Sequence, residues 1–297
     1  MRIALSCLAV SLGLVGCGVD VPTPDAPAVI TDPGYQTLVS TQWTLDANSE
    51  KYLCLRVTMT QDVWIKTIQP IAPVGTHHGV LMLAATPTVA DGLTECTSML
   101  TDPAIYASGV GTTSLDFPDG VGLHIKAGEQ LFLNLHLFNA SDSTLTGTSG
   151  IEYIAADPVT IVHEAASVLI GAANNASVPV GVGVSLKFSC TPPPNTTIFA
   201  VAPHMHLLGT HLNATYTPMG GETTTLADLD YSFDDQKFRT ITPIVTSPKG
   251  KYVVTCTYDN ESGSPVAFGE STTQEMCFAM SYVYPPPGAS ICGTEIQ

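Results

Sequence analysis

Two of the eight histidines stand two positions apart in an apolar run, FAVAPHMHLLGTHL, at residues 199–212. Side chains at positions i and i+2 of a β-strand point to the same face, so His204 and His206 on a strand would lie side by side. Such a pair of imidazoles suits two ligands of one metal ion. Pro203, directly before the pair, favours the start or the edge of a strand. A pair of surface histidines is the alternative interpretation.

Two further motifs offer histidines as metal ligands. In GTHHGVLML, His77 and His78 are adjacent, so both could reach one ion only if the backbone bends, which Gly75 and Gly79 would permit. The alternative is a turn with two solvent-exposed histidines. In EQLFLNLHLFN, His136 lies in an apolar strand pattern, either as a ligand or as a hydrogen-bonded core residue.

The other three histidines, His124, His163 and His211, have no comparable context, and we assign them structural roles. By strand parity, His211 falls on the opposite face from His206. The three candidate motifs therefore use five of the eight histidines.

The elements that must position these motifs are predicted to be β-strands. Eight short runs rich in β-branched and aromatic residues are bounded by turn residues, and no segment shows a sustained helical period. We predict an all-β fold of two antiparallel β-sandwich domains, at residues 35–165 and 166–297. The weakly patterned stretch GAANNASVPVGVGVS, at 171–185, lies close to this boundary, which we place within 160–175.

Composition narrows the possible partners. Of 297 residues, 44% are hydrophobic, which is enough for a packed core. The formal net charge of −16 argues against binding to nucleic acid or to anionic lipid, and is compatible with a cationic partner or a metal ion.

The first 17 residues, MRIALSCLAVSLGLVGC, predict export. Arg2 is followed by an apolar stretch, residues 3–15, that is too short to span a bilayer. The ending LVGC resembles the lipobox of bacterial lipoproteins, which implies cleavage before Cys17 and a lipid on its thiol; a plain secretory signal is the alternative. Residues 18–34 are Pro-rich and predict an extended tether. We expect a bacterial outer-membrane lipoprotein, periplasmic or on the cell surface, that contacts the membrane only through its lipid.

Six cysteines follow Cys7 and Cys17. An even number in an exported chain predicts disulfide bonds, although spacing alone leaves their pairing open. No C-x-x-C motif is present, so neither a thioredoxin-like site nor a zinc–thiolate cluster is indicated. The six are Cys54, Cys96, Cys190, Cys256, Cys277 and Cys292.

Taken in order, these motifs resemble the copper type II, ascorbate-dependent monooxygenases, the family of peptidylglycine α-hydroxylating monooxygenase and dopamine β-monooxygenase. THHGVLML resembles the family's histidine pair, LFLNLHLFN its third histidine strand, HMHLLG its H-x-H-x-x-G motif, and TTQEMCFAMSYVYP its methionine segment. Each motif is short, but all four occur in the right order. The resemblance extends over roughly residues 35–297.

The resemblance implies two copper ions per chain, each held by one domain. The first copper would take His77, His78 and His136, and the second His204, His206 and Met276. The resemblance also implies jelly-roll-like domains that face each other across a solvent-filled cleft. It further implies disulfide bonds that join Cys54 to Cys96, Cys190 to Cys292 and Cys256 to Cys277.

The implied reaction is the hydroxylation of a C–H bond of a small-molecule substrate by O2, with ascorbate or an equivalent electron donor. The three-histidine copper would accept electrons and the copper bound by His204, His206 and Met276 would activate O2, which makes these three the catalytic ligands. The ligand types suit this chemistry, because imidazole serves both copper oxidation states and thioether favours Cu(I). Three histidines would suit zinc equally well, so the methionine is the discriminating ligand.

The chain departs from the peptide-hydroxylating branch at three substrate positions. Where that branch places Arg, Asn and Tyr to hold a carboxylate, this chain has Ala202, Phe278 and Met280. None of the three can pair with a carboxylate. We therefore expect Phe278 and Met280 to bind an apolar or aromatic substrate, and peptides that end in glycine not to be substrates.

Other functions remain open at this point. An exported copper-binding protein without turnover, for metal storage or surface binding, would keep the same ligands. A zinc-dependent hydrolase would need a general base near the metal. Glu275 is the acidic residue nearest to a candidate ligand in the sequence, and it lies in no hydrolase signature. A lectin-like structural sandwich is the remaining possibility.

Overall fold

The computed structural model describes residues 34–97, 103–171, 176–269, 271, 273–288, 291–292 and 295–296. The predicted signal segment, the lipidation site Cys17 and all of the predicted tether except Gly34 lie outside these residues. The described chain forms 22 β-strands and one short 3-10 helix at Pro158–Thr160. The all-β prediction is confirmed. Among the described residues, no helix has the length and apolar character that crossing a membrane would require.

The first ten strands are built from the N-terminal part of the chain. They are β1 (Gln36–Leu45), β2 (Ser49–Thr58), β3 (Val63–Ile71), β4 (Thr76–Ala84), β5 (Gly92–Glu95), β6 (Ala104–Gly109), β7 (Leu115–Asp116), β8 (Val121–Ile125), β9 (Gln130–Asn139) and β10 (Leu145–Ala155).

The remaining twelve strands follow the 3-10 helix. They are β11 (His163–Gly171), β12 (Ser177–Val178), β13 (Gly181–Cys190), β14 (Thr197–Met205), β15 (Gly209–Thr217), β16 (Thr224–Asp230), β17 (Arg239–Val245), β18 (Lys251–Asn260), β19 (Val266–Ala267), β20 (Cys277–Tyr284), β21 (Ile291–Cys292) and β22 (Glu295–Ile296).

The N-terminal strands form two sheets. One has the order β5-β2-β9-β4-β6, and the other contains β1-β10-β3-β8 with β7 paired to β3. The central strand β9 is buried over nearly its whole length, because it lies between β2 and β4 and carries the apolar run LFLNLHLF. This position places His136 in the interior, next to β4 and its two histidines.

The C-terminal strands repeat the two-sheet arrangement. One sheet runs β11-β20-β14-β17 and the other β16-β15-β18-β13-β22, with β12 and β19 as a separate pair. Strand β18 shows why these segments form half-buried strands. Its alternate residues Tyr252, Val254, Cys256 and Tyr258 are all fully buried, while the residues between them are less buried or exposed.

The two halves are joined by a strand as well as by packing. The start of β11 pairs in parallel with β8, and the rest of β11 pairs antiparallel with β20, so one sheet continues from the N-terminal to the C-terminal strands. The apolar core also crosses the junction, where the Tyr282 hydroxyl donates a hydrogen bond to the Ile105 carbonyl at 3.1 Å. The predicted division at residues 165 and 166 falls inside β11 and remains a prediction.

Three disulfide bonds join Cys54 to Cys96, Cys190 to Cys292 and Cys256 to Cys277. These are the pairs that the family resemblance implies. The first links β2 to the end of β5, and the third ties β18 to the start of β20, next to Met276.

Candidate metal centre

Three of the predicted ligands, His77, His78 and His136, form one cluster, which we call the trihistidine cluster. Strand β4 contains a β-bulge: Thr76 pairs with Leu137 and His78 with His136, which leaves His77 as the extra residue. The bulge lets two consecutive side chains approach the same point, as the sequence required. A regular strand would have turned one of them away.

The spacing of the trihistidine cluster fits a metal ion. The Nδ1 atom of His77 lies 3.2 Å from Nδ1 of His78 and 3.1 Å from Nδ1 of His136. Imidazole nitrogens bound to zinc at about 2.0–2.1 Å would lie roughly 3.3 Å apart at the corners of a tetrahedron. All three ligand atoms lie within 4.8 Å of one another, so a single ion could contact them together.

Two residues of strand β2 orient the His136 ring. Its Nε2 atom lies 3.2 Å from a carboxylate oxygen of Glu50, and Tyr52 stacks on the ring with the centroids 4.2 Å apart. A proton on Nε2 shared with Glu50 leaves Nδ1 free to act as the ligand atom. Carboxylate partners of this kind fix the orientation of metal-binding histidines and make them more basic.

His204 and His206 form a second group at the end of strand β14. His204 lies in β14, His206 follows one residue after its end, and their ring centroids are 5.2 Å apart. Pro203 lies near the end of β14, where the strand pairs only with β20. Of the two positions that the sequence favoured for this proline, it therefore occupies the strand edge and not the strand start.

Both rings are held through Nδ1. The Nδ1 of His204 lies 2.8 Å from Oε1 of Gln236, and the Nδ1 of His206 lies 3.0 Å from the Gln274 carbonyl. Each Nδ1–H donates to an oxygen, which leaves both Nε2 atoms as the atoms available to a metal.

Glu275 holds the backbone of this group in place. Its side chain is fully buried and accepts hydrogen bonds from the backbone N–H groups of His206 at 3.0 Å and Leu208 at 2.7 Å. Burial raises the pKa of this carboxyl, and the hydrogen bonds from Leu208 and His206 oppose the rise. Its hydrogen bonds give Glu275 a positioning role next to the ligands.

Gly209 is the last residue of the H-x-H-x-x-G motif, and the space around it explains why a glycine is found there. A β-carbon at this position would lie 2.7–3.0 Å from side-chain atoms of the fully buried Met205. Only glycine lets the chain turn back against Met205 and start strand β15. The motif's last residue therefore shapes the loop that follows His206.

Met276 faces the same space as the two histidines. It is half-buried, its carbonyl accepts a hydrogen bond from the Tyr258 hydroxyl at 2.9 Å, and its side chain lines a cavity of about 110 Å³ together with His204 and His206. Two histidines and one methionine thus border one small volume. This donor set suits copper, because the soft sulfur favours Cu(I).

The walls of this cavity are largely apolar. Phe278 pairs across the strands with His204, and Met280 pairs with Ala202. The two predicted substrate-binding residues, Phe278 and Met280, both line the cavity, as does Ala202. The N-terminal part of the chain closes the opposite side with Val80, Ala104 and Ala107, among other residues.

The two ligand groups border one cavity. His78 of the trihistidine cluster lines the same cavity as His204, His206 and Met276. The Phe233 ring lies between the groups, with its centroid 4.8 Å from His77 and 6.4 Å from His206. The solvent-filled cleft that the family resemblance implies corresponds here to a cavity lined by both halves of the chain, which the continuous sheet and core hold together.

The remaining histidines have structural contacts. The His124 ring stacks on Trp64 with the centroids 3.9 Å apart, the His163 ring stacks on Tyr284 at 5.0 Å, and the His211 Nε2 atom lies 3.1 Å from a carboxylate oxygen of Asp228. None of the three contributes to either ligand group.

Burial keeps the candidate ligands neutral. Desolvation lowers the pKa of His77 and of His206 to about 4, and it lowers the pKa of His78, His136 and His204 as well. Neutral imidazoles can bind a metal without first losing a proton. The site is therefore ready for a metal at neutral pH.

These shifts predict how the stability of the metal-free protein depends on pH. A histidine with pKa 6.5 when unfolded and about 4 when folded binds more protons unfolded between these values, so stability falls as the pH drops from about 6.5 to about 4. Thermal unfolding at several pH values, in the presence of a chelator, measures the slope. The double variant His77→Gln, His206→Gln should show a shallower slope over this range, and an unchanged slope would contradict the prediction.

Three residues around the site had no signal in the sequence. Gln236, Phe233 and Glu50 belong to no motif and lie far along the chain from the histidines that they contact. Gln236 is held by the other half of the protein, because its N–H donates to the Val110 carbonyl and its own carbonyl accepts from the Thr112 hydroxyl. Only the three-dimensional structure brings them to the site.

Gln236 should affect the second ligand group specifically. Gln236→Leu removes the acceptor for His204 and should weaken copper binding there by about 10- to 100-fold, whereas Gln236→Glu keeps an acceptor and should bind nearly normally. Copper titration followed by electron paramagnetic resonance measures both effects. Asp235→Asn, in the same loop, is the matched control. Equal binding by the leucine and glutamate variants would show that the hydrogen bond is unimportant.

An all-β chain with a trihistidine cluster and a nearby group of two histidines and a methionine is a candidate copper protein. Residues 169–297 match the family model "Copper type II ascorbate-dependent monooxygenase, C-terminal domain". The matched residues include His204, His206 and Met276, and the match is to the family that the motifs resemble.

Two solved structures are weakly similar over most of the chain. The VP2 subviral particle of infectious bursal disease virus is 10% identical, with 89% of this chain and 76% of that chain covered and a TM-score of 0.24. The Gt strain of the same virus is also 10% identical, with 90% and 78% covered and a TM-score of 0.21. At these scores neither similarity bears on the fold or function of this protein.

Proposed function

We propose that this chain is a copper-dependent monooxygenase that hydroxylates a C–H bond of a small apolar or aromatic molecule. One oxygen atom of O2 would enter the product and the other would leave as water, with two electrons from ascorbate or an equivalent donor. The observation that carries the proposal is the cavity lined by His204, His206 and Met276 and walled by apolar residues. The C-terminal family match supports the same reaction class.

The residues divide into two proposed copper sites. His77, His78 and His136 would hold one copper, and His204, His206 and Met276 would hold the other. Bound copper supplies the change between Cu(I) and Cu(II) that electron transfer and O2 activation need. Glu50, Gln236 and the Gln274 carbonyl hold the imidazoles in place, and Glu275 holds the loop that carries His206.

The apolar wall supports an apolar or aromatic substrate. Phe278 and Met280 would contact it beside Met276, and no Lys or Arg among the described residues lines the cavity. A buried carboxylate without a cationic partner would be strongly disfavoured there. Residues of both halves of the chain border the cavity, so a substrate bound there would be partly shielded from bulk water.

We predict that a peptide ending in glycine gives no hydroxylated product with this protein. Ala202, Phe278 and Met280 cannot pair with the terminal carboxylate. Mass spectrometry of such a peptide after incubation with the copper-loaded protein, reductant and O2 measures this. The same peptide with its carboxylate amidated is the control, and product from the free acid alone would contradict the assignment of the pocket.

A non-catalytic copper-binding protein is the second candidate. The absence of carboxylate-binding residues at Ala202, Phe278 and Met280 favours it, because the pocket differs from that of the peptide-hydroxylating branch. Substrate-dependent O2 uptake with ascorbate, measured over a panel of small aromatic and aliphatic compounds, separates the two functions. Uptake with an oxygenated product supports the monooxygenase, and copper binding without uptake on any compound supports the storage function.

We also propose that the protein is exported and held at a bacterial outer membrane by a lipid on Cys17. The three disulfide bonds support an oxidising compartment. Metabolic labelling with a fatty acid, in the full chain and in Cys17→Ser, tests the anchor.

A further inference from the structure

The loop between strands β16 and β17 lies against both ligand groups, and we call its residues 231–238 the bridging loop. The half-buried Phe233 ring packs against His77 of the trihistidine cluster, with the ring centroids 4.8 Å apart. The same ring meets His206 of the second ligand group edge to face, with the centroids 6.4 Å apart. One aromatic side chain therefore adjoins a predicted ligand of each group.

Contacts within the C-terminal half hold the first part of the bridging loop. The Tyr231 hydroxyl donates a hydrogen bond to the Met205 carbonyl at 2.6 Å. A turn follows, in which the Asp235 N–H donates to the Ser232 carbonyl at 3.1 Å, and Phe233 lies inside this turn. The turn presents the Phe233 ring to the cavity that both halves of the chain line.

The N-terminal half holds the second part of the bridging loop. The Gln236 N–H donates to the Val110 carbonyl at 3.2 Å, and the Thr112 hydroxyl donates to the Gln236 carbonyl at 2.6 Å. Gly111 has a φ of 79° and lets the loop approach closely, since a β-carbon there would lie 3.2 Å from the Asp234 carbonyl oxygen. The bridging loop is thus fixed relative to both ligand groups.

The Phe233 ring provides a contact between the ligand groups that the cavity does not. His78 lines this cavity together with the second ligand group, and in the proposed function the cavity takes up substrate and O2. What lies between those ligands would therefore change from step to step. Between His77 and His206 the protein itself fills the space. Protein interiors are close-packed, whereas a cavity leaves its lining atoms without partners on one side. An electron crosses packed atoms more readily than a gap of the same width.

We propose that Phe233 is a positioning residue that provides the electron path between the two ligand groups, because its ring fills the space between His77 and His206. This role rests on the proposed function, in which ascorbate or an equivalent donor reduces the trihistidine copper. In the step that follows, the Cu(I) of the trihistidine cluster loses one electron and becomes Cu(II). The Cu(II) of the second ligand group gains that electron and becomes Cu(I). No bond to the protein forms or breaks, and no proton moves.

The electron path is tested on the copper-loaded protein without O2 and without substrate. A pulse of radicals from the radiolysis of formate adds a sub-stoichiometric amount of electrons to the cupric protein. Rapid freezing and electron paramagnetic resonance then follow the two Cu(II) signals as the electron redistributes between them. Phe233→Ala leaves a gap in place of the ring and should slow this redistribution about tenfold. Phe233→Tyr keeps the ring and should show the parent rate.

Phe233→Leu fills part of the gap and should give an intermediate rate, so it shows the effect even if the alanine variant does not fold. Lys237→Ala, exposed in the same loop, is the matched control and should leave the rate unchanged. Copper content and melting temperature are measured for each variant. Equal redistribution rates in the parent, Phe233→Leu and Phe233→Ala would overturn the proposed path. If the rates fall in the expected order but no compound is hydroxylated, the proposed function fails and the role of Phe233 stands.

Discussion

Replacing Met276 by alanine should abolish reductant-dependent O2 uptake while leaving the protein folded. Changes to groups that merely orient a ligand typically cost about 10- to 100-fold, so loss of the ligand itself should cost more than ~100-fold. The physical reason is that a thioether stabilises Cu(I), the state that must meet O2. Met276 is half-buried and lines an open cavity, so its truncation removes little packing.

Met219→Ala is the matched control for this variant. Met219 is 65% exposed between strands β15 and β16 and does not line the cavity. The control should keep full uptake and the same unfolding temperature as the parent. Unchanged uptake by Met276→Ala would remove this methionine from the site and with it the main reason to prefer copper to zinc.

Replacing Glu275 by alanine should produce the second large effect, on stability. The buried carboxylate accepts N–H groups of His206 and Leu208, and each donor left buried without a partner costs about 1–3 kcal/mol. We expect a loss of about 2–5 kcal/mol in the free energy of unfolding, or roughly 5–15 °C in melting temperature. Glu275→Gln should lose less, because one amide oxygen can still accept.

Differential scanning calorimetry of the metal-free variants measures this effect, with Glu222→Ala as the control on an exposed turn. The copper affinity of the second ligand group should fall with stability in Glu275→Ala, because the freed loop carries His206. A melting temperature for Glu275→Ala within a degree or two of that of Glu222→Ala would contradict the positioning role of the carboxylate.

The sequence predicted the strands well because each short apolar run is bounded by turn residues. H-x-H parity predicted from the sequence that His204 and His206 lie side by side. The family resemblance, carried by four motifs in order, implied the other ligand groupings and the three cysteine pairs, which spacing alone had left open. The sequence did not show the bulge that brings His77 and His78 to one point. It showed only that both could reach one ion if the backbone bends, because adjacent residues of a regular strand point to opposite faces.

The rest of the site depends on contacts distant in sequence. Gln236 meets His204 because a loop of the C-terminal half is held by Val110 and Thr112 of the N-terminal half. The pairing of β8 with β11, which joins the two sheets, has no local signature either. Because these contacts have no local signal, the sequence could not show that residues of both halves of the chain would line one cavity.

Metal content together with X-ray absorption of the reduced protein tests the central claim most directly. The mature chain is loaded with excess copper, freed of unbound ions, and compared with Met276→Ala. We predict two copper ions per parent chain, with sulfur scattering from one of them that disappears in the variant. A single metal ion, a preference for zinc over copper, or copper without any sulfur neighbour would contradict the assignment of two copper sites and the function built on it.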